Sequence, residues 1–112
     1  MSQCIFCRIV AGEVPATRVY EDAQMLVFKD IHPKAPVHLL AIPKQHVDSL
    51  NEIAALSDEL LTHLLRALPR IAEEQGLHNG FRTIVNTGPG GGQEVPHLHF
   101  HILGGGGRLP GF

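Results

Sequence analysis

Pro96-His97-Leu98-His99-Phe100-His101-Ile102-Leu103 alternates imidazole and apolar side chains. A β-strand sends successive side chains to opposite faces. His97, His99 and His101 therefore share one face, and Leu98, Phe100 and Ile102 share the other. The apolar face can pack on a core and anchor the imidazole face in a cleft. The pattern predicts a strand over residues 97–103. Three imidazoles on one face admit three readings: a solvated polar strand, a zinc hydrolase with an open water position, and a histidine nucleophile assisted by its neighbours. Imidazole suits attack on phosphorus because it is partly neutral at pH 7 and forms a labile phosphoryl or nucleotidyl adduct. Periodicity does not choose between the last two.

Glycines bracket this segment. Gly88, Gly90, Gly91 and Gly92 precede it, and Gly104 to Gly107 follow. Backbone N–H groups in such a run can surround an anionic phosphate, although a lone glycine run is more often a flexible loop. It is not a P-loop, since no Gly-Lys-Ser/Thr follows.

Further from the triad, residues 4–11 read as a short helix that Gly12 ends, and residues 18–20 and 25–29 as a hairpin around Glu21-Asp22. Pro33 and Pro36 make residues 30–36 a loop, and residues 37–42 are an apolar strand interrupted only by His38. Ser49 and Glu52 match a capping box for a short helix. Ser57, with Asp58 and Glu59 behind it, opens the main helix. Leu60, Leu61, Leu64, Leu65, Leu68, Ile71 and Ala72 form its apolar face, and Gly76 is placed to cap it. Pro69 inside that helix predicts a kink or two abutting helices. Residues 81–86 read as a further strand. Strands and helices mix without regular alternation, so the expected fold class is α+β: an antiparallel sheet of about five strands with one main helix and a short N-terminal helix.

The chain has 112 residues, 44% of them hydrophobic, which predicts one domain over 1–112 and argues against disorder. A net charge of -2 with no basic block argues against nucleic acid as a partner. No apolar run reaches membrane-spanning length. Met1-Ser2-Gln3-Cys4 lacks the regions of a signal peptide, so the expected location is cytoplasmic. Two cysteines are too few for a disulfide scaffold, and in a reducing compartment they stay thiols or bind metal.

The segment His97-Leu98-His99-Phe100-His101-Ile102-Leu103 resembles the signature of the histidine triad family. The likeness extends from Ile5-Phe6 through Asp30-Ile31, Pro36-Val37-His38, Ile42-Pro43-Lys44-Gln45-His46, Val85-Asn86 and Gly91-Gly92-Gln93-Glu94-Val95 to Gly104. It is most similar to the nucleotide-binding branch, which implies hydrolysis of purine nucleoside phosphoramidates by a homodimer. The broadly apolar main helix independently favours a dimer, since one small sheet does not easily cover it.

The resemblance implies that His99 attacks the α-phosphorus to give a nucleotidyl-histidine. His101 then serves the leaving amine, and the main chain of His97 orients His99. His38 is either a fourth member of the proton network or a satisfied core histidine. Asp30 would accept from the ribose hydroxyls, and Ile31 with Phe6, Ile5 and Phe28 would hold the base. Asn86 and Gln93 would donate to phosphate oxygens beside Gly92 and Val95. Glu94 departs from relatives with serine there. An ionised glutamate only accepts, which leaves its backbone N–H to face phosphate. The ending Arg108-Leu109-Pro110-Gly111-Phe112 also departs from relatives with an aromatic tail. Rival functions are a dinucleoside polyphosphate hydrolase, a nucleotide-binding regulatory protein and a metal-dependent hydrolase.

Cys4-Ile5-Phe6-Cys7 has spacing that lets both thiolates bind one ion. A redox pair and two unrelated buried cysteines are the alternatives. The resemblance implies a structural zinc completed by His46 and His97, with chemistry at His99 that needs no metal.

Overall fold

The computed structural model describes residues 3–112; Met1 and Ser2 lie outside the described residues. In chain order it has α1 (Ile5–Val10), β1 (Arg18–Glu21), β2 (Met25–Lys29), β3 (Val37–Pro43), a 3-10 helix (Leu50–Ala55), α2 (Asp58–Glu74), β4 (Arg82–Ile84), a 3-10 turn (Pro89–Gly91) and β5 (Phe100–Gly104). The five strands form one antiparallel sheet in the order β1-β2-β3-β5-β4, giving the expected α+β class.

Strand alternation divides the sheet into two packed faces. Met25, Val27, Leu39, Ala41, Phe100 and Ile102 pack with Leu60, Leu64, Leu68 and Ile71 of α2. Leu26, Phe28, Leu40 and Ile42 pack on the opposite face against Phe6 and Ile9 of α1. Each fully buried leucine or isoleucine contributes roughly 1.5–3 kcal/mol. β5 pairs with β3 through Leu39↔Ile102, Leu40↔His101 and Ala41↔Phe100. This register directs His101 to the α1 face while its apolar neighbours hold the strand on α2.

The ends of α2 follow from its sequence. Ser57 Oγ accepts from Leu60 N at 3.0 Å. At the other end Gly76 adopts φ 87, and Leu77 N and Gly76 N donate to Ala72 O and Glu73 O. This is a Schellman ending, which requires the left-handed conformation that glycine adopts without strain.

Five local expectations need correction. Pro69 neither breaks nor divides α2, which runs unbroken from Asp58 to Glu74. Pro69 and Leu65, whose carbonyl loses its helical donor, are both exposed, so water can solvate that carbonyl. Leu65 is 52% exposed and Leu61 only half-buried, so the apolar face is narrower than its leucines imply. The triad strand begins at Phe100 rather than His97, because β3 ends at Pro43 and Leu98 N donates instead to Val47 O at 2.9 Å. The strand expected over 81–86 contracts to Arg82–Ile84. Near Ser49, the cap is split: Ser49 Oγ accepts from Asn51 N, while Glu52 reaches back to Asp48 N rather than to Ser49 N.

Asp22 ties the β1–β2 turn to α2. Its Oδ1 accepts from Gln24 N and Met25 N at 2.8 and 3.0 Å, and its Oδ2 from Tyr20 Oη at 2.6 Å and His63 Nε2 at 2.5 Å. Burial opposes its ionisation, but these hydrogen bonds outweigh it and hold the carboxyl well below the usual carboxylate range. Asp22→Ala removes one acceptor from four donors. It should lower unfolding free energy at pH 7 by about 1–3 kcal/mol. An unchanged denaturant midpoint would show that the clamp contributes nothing.

Candidate functional site

On the α1 face a cleft of about 550 Å³ opens between α1, the loop after β2 and the ends of β3 and β5. Phe6, Asp30, Ile31, His38, Asn86, Gly92, Glu94, Val95, His99 and His101 all line it. His97, although alternating with them, is fully buried and faces Cys4, Cys7 and His46 instead. The histidine segment thus serves two sites along one face.

Hydrogen-bond chemistry fixes the imidazole tautomers. A neutral ring carries one hydrogen and one lone pair. His99 Nδ1 lies 2.7 Å from His97 O. A carbonyl only accepts, so Nδ1 carries the hydrogen and Nε2 keeps its lone pair. Lys34 N donates to His38 Nδ1 at 3.0 Å, so the His38 hydrogen is on Nε2. From there it donates to His101 Nδ1 at 2.9 Å, leaving the His101 hydrogen on Nε2. The two cleft imidazoles therefore have opposite polarity: His99 Nε2 offers a lone pair and His101 Nε2 a hydrogen.

Burial pushes the His101 imidazole down to about 4, and the neighbouring His99 and His38 add to the effect. Burial also lowers His38, against the pull of Asp30, whose Oδ2 is 3.5 Å from His38 Nε2. Both rings are thus held neutral near pH 7. His38 is 4% exposed, yet each ring nitrogen is engaged, so it joins the buried strand to the cleft.

The glycine approach is more self-contained than its sequence implies. Gly91 N, Gly92 N and Gln93 N donate to Gly88 O, Pro89 O and Gly88 O. Gln93 departs from the expected phosphate donor: its Nε2 donates to Asp48 O and Val95 O at 2.6 and 2.9 Å, and its Oε1 accepts from Gly88 N. It braces the loop. Asn86 lines the cleft but spends a hydrogen on Gly91 O at 2.8 Å. Among the described residues Glu94 N has no protein acceptor. Asp30 shapes its own turn by accepting from His32 N at 2.8 Å. Phe6 stands edge-on to Phe28 and His99, with ring centroids 5.3 and 5.2 Å apart, and walls the cleft with aromatic surface.

Cys4, Cys7, His46 and His97 bring two sulfurs and two nitrogens within 4.8 Å of one another. Cys4 Sγ is 3.3 Å from His97 Nδ1, and Cys7 Sγ is 3.3 Å from His46 Nδ1 and 3.5 Å from His97 Nδ1. The two Nδ1 atoms are 3.1 Å apart. Zinc bonds of about 2.3 Å to sulfur and 2.0–2.1 Å to nitrogen give tetrahedral edges of roughly 3.3–3.8 Å, so the spacing fits. Tautomers agree. His97 Nε2 donates to Pro43 O at 2.8 Å and His46 Nε2 to Asp48 Oδ1 at 2.7 Å, which turns both Nδ1 lone pairs inward. A cation between them relieves their repulsion. Burial drives the His97 imidazole down to about 4 and so keeps it neutral, although the hydrogen bond to Pro43 O pulls the other way. A second group, Asp30, His38 and His101, is close enough to hold an ion. There, however, His38 accepts a hydrogen on one nitrogen and carries one on the other, so it presents no lone pair.

The supporting acceptors Pro43 O and Asp48, and the donor Lys34 N, escaped the sequence reading. Asp48, two residues after His46, was the one with a local signal.

A family model described as scavenger mRNA decapping enzyme C-term binding matches residues 3–108. Protein HitA of Neisseria gonorrhoeae is 56% identical over 104 residues, covering 93% of this chain and 97% of that protein. A 14 kDa zinc-binding protein of Zea mays is 44% identical over 107 residues, 93% of this chain and 83% of its own. The crystal structure of a HIT family hydrolase from Legionella pneumophila Philadelphia 1 superimposes with a TM-score of 0.85 at 46% identity, covering 96% of this chain and 95% of that one. Likeness of this extent, reaching from the N-terminal helix through the triad, decides the matter: the chain belongs to the histidine triad (HIT) family of hydrolases and nucleotide-binding proteins.

Proposed function

We propose that the chain hydrolyses the P–N bond of purine nucleoside 5′-phosphoramidates through a nucleotidyl intermediate on His99. The observation that carries this reading is the His99 tautomer: with Nδ1–H bound to His97 O, the Nε2 lone pair is available at the cleft. His99 Nε2 attacks the α-phosphorus and the bond to the leaving nitrogen breaks. His101 Nε2–H hydrogen-bonds the leaving nitrogen, which departs as the free amine with a proton drawn from solvent, while the hydrogen bond from His38 fixes the His101 ring. Water then attacks phosphorus and gives its proton back to solvent, and the bond to His99 breaks to release the nucleoside monophosphate. The base lies against Phe6, Phe28 and Ile31, of which Ile31 is 83% exposed at the cleft. Asp30 receives the ribose hydroxyls, and Glu94 N–H and Gly92 face phosphate.

A zinc ion held by Cys4, Cys7, His46 and His97 would act as a structural cross-link between α1 and the triad segment. His99 stands outside that group, which supports chemistry by imidazole alone. The short edge strand β4 and the exposed Leu65 of α2 support a homodimer, and we read the protein as cytoplasmic. Among the described residues no helix is long and apolar enough to cross a membrane.

His99→Ala should keep the fold and lower turnover of an adenosine phosphoramidate by about 10³-fold or more. Wild-type enzyme denatured rapidly under alkaline conditions during turnover should carry the nucleotidyl group on His99. Near-wild-type turnover in the variant, or an adduct elsewhere, would contradict the assignment.

The depressed histidines also set a pH dependence of stability. Unfolding returns His101 from about 4 to its ordinary 6.5. Below pH 6.5 the unfolded chain therefore binds more protons than the folded one. Stability should fall from pH 6.5 towards 4 and the His101 contribution should level off below that. His101→Gln should show a shallower fall in denaturant midpoint over this range. An equal or steeper fall would contradict the burial argument.

A further inference from the structure

The CxxC pair has a solvent approach that adjoins the cleft at Ile5, Glu94 and Val95 but does not pass His99. A second depression, of about 640 Å³, is lined by Gln3, Cys4, Cys7, His46 and Asp48 among others. Both cysteines are partly exposed there. Small polar molecules can thus reach the sulfurs without entering past His99.

The pair is also joined to the wall of the cleft. Cys4 is the N-cap of α1, and its Sγ accepts from Cys7 N at 3.4 Å. Between them in sequence lies Phe6, whose ring stands edge-on to His99 at 5.2 Å and to His97 at 5.9 Å. A change in sulfur geometry therefore acts on the turn that carries Phe6.

We propose that Cys4 and Cys7 form a peroxide-oxidisable pair whose conversion to a disulfide expels zinc and disturbs the His99 wall. The proposal rests on the zinc reading above. One thiolate attacks a peroxide oxygen, breaking the O–O bond and giving a sulfenic acid. The second thiolate then attacks the sulfenic sulfur, forms the S–S bond and expels hydroxide. Overall, two thiolates lose two electrons and hydrogen peroxide gains them. With two protons taken from solvent, the products are one disulfide and two waters.

Geometry makes the two states exclusive. Thiolates on a tetrahedral zinc lie roughly 3.8 Å apart, whereas a disulfide holds them at about 2.05 Å. The sulfurs here lie within 4.8 Å, close enough for side-chain rotation to join them. Once joined, they no longer offer thiolate charge to the ion. Without the ion, His46 Nδ1 and His97 Nδ1 face each other at 3.1 Å with nothing between their lone pairs. Those rings must either separate or take up a proton between them, and both responses act on His97, the residue whose carbonyl orients His99.

The test uses full-length protein purified under reducing conditions without chelator. Metal analysis should first give about one zinc per chain. Hydrogen peroxide should then release that zinc to a chromogenic chelator in step with a mass loss of about 2 Da, the two thiol hydrogens. Turnover should fall roughly ten-fold or more, the scale of effect that misplacing a catalytic group produces. Dithiothreitol with added zinc should restore all three readouts. Cys7→Ser, if it folds, should show no such mass loss; if it does not fold, the reversal in wild-type protein still decides. Reduced protein without zinc would overturn the zinc reading and this proposal with it. Zinc present but retained after disulfide formation, oxygen addition in place of the mass loss, or unchanged turnover in the disulfide form would overturn this proposal alone.

Discussion

A neutral imidazole has one hydrogen and one lone pair, so whatever binds one nitrogen decides what the other offers. Four histidines here are governed by that constraint through fixed partners. His97 O takes the Nδ1 hydrogen of His99, and Lys34 N occupies the Nδ1 lone pair of His38. Pro43 O and Asp48 take the Nε2 hydrogens of His97 and His46. The result is one lone pair and one N–H presented to the cleft, and two inward lone pairs at the cysteines. Similar rings perform different tasks because backbone and carboxylate acceptors set their polarity.

The sheet keeps those partners in register. β3 supplies His38 on the cleft face and Leu39 and Ala41 on the α2 face, while β5 supplies His101 between Phe100 and Ile102. Burial of the apolar set fixes where the polar set points. A one-residue slip of β5 would place His101 against α2 and Phe100 or Ile102 in the cleft, so core packing selects the face that lines the cleft.

Much of this was legible in the chain. The alternation from His97 to Leu103 assigned the two faces, and Ser57 with Gly76 placed the ends of α2 within a residue. Less legible was whatever depended on an unpatterned backbone partner. Pro69 looked disruptive because sequence does not show that Leu65 and Pro69 lie on the exposed side of α2. Gln93 looked like a phosphate donor because nothing local shows that Asp48 O and Val95 O claim its amide. Lys34 and Pro43 act through main-chain atoms, which every residue of a loop offers, so side-chain identity carried no signal. The separation of His97 from His99 and His101 into another site was implied by resemblance, not by strand period, which places all three on one face.

The central claim is that His99 and His101 present opposite polarity to the cleft. Multiple-bond ¹H–¹⁵N correlation spectra of imidazole-labelled protein at pH 7 measure this directly. His99 should appear as the Nδ1–H tautomer with an unprotonated Nε2, and His101 as the Nε2–H tautomer. A hydrogen on His99 Nε2, or a doubly protonated His101 at that pH, would contradict the account.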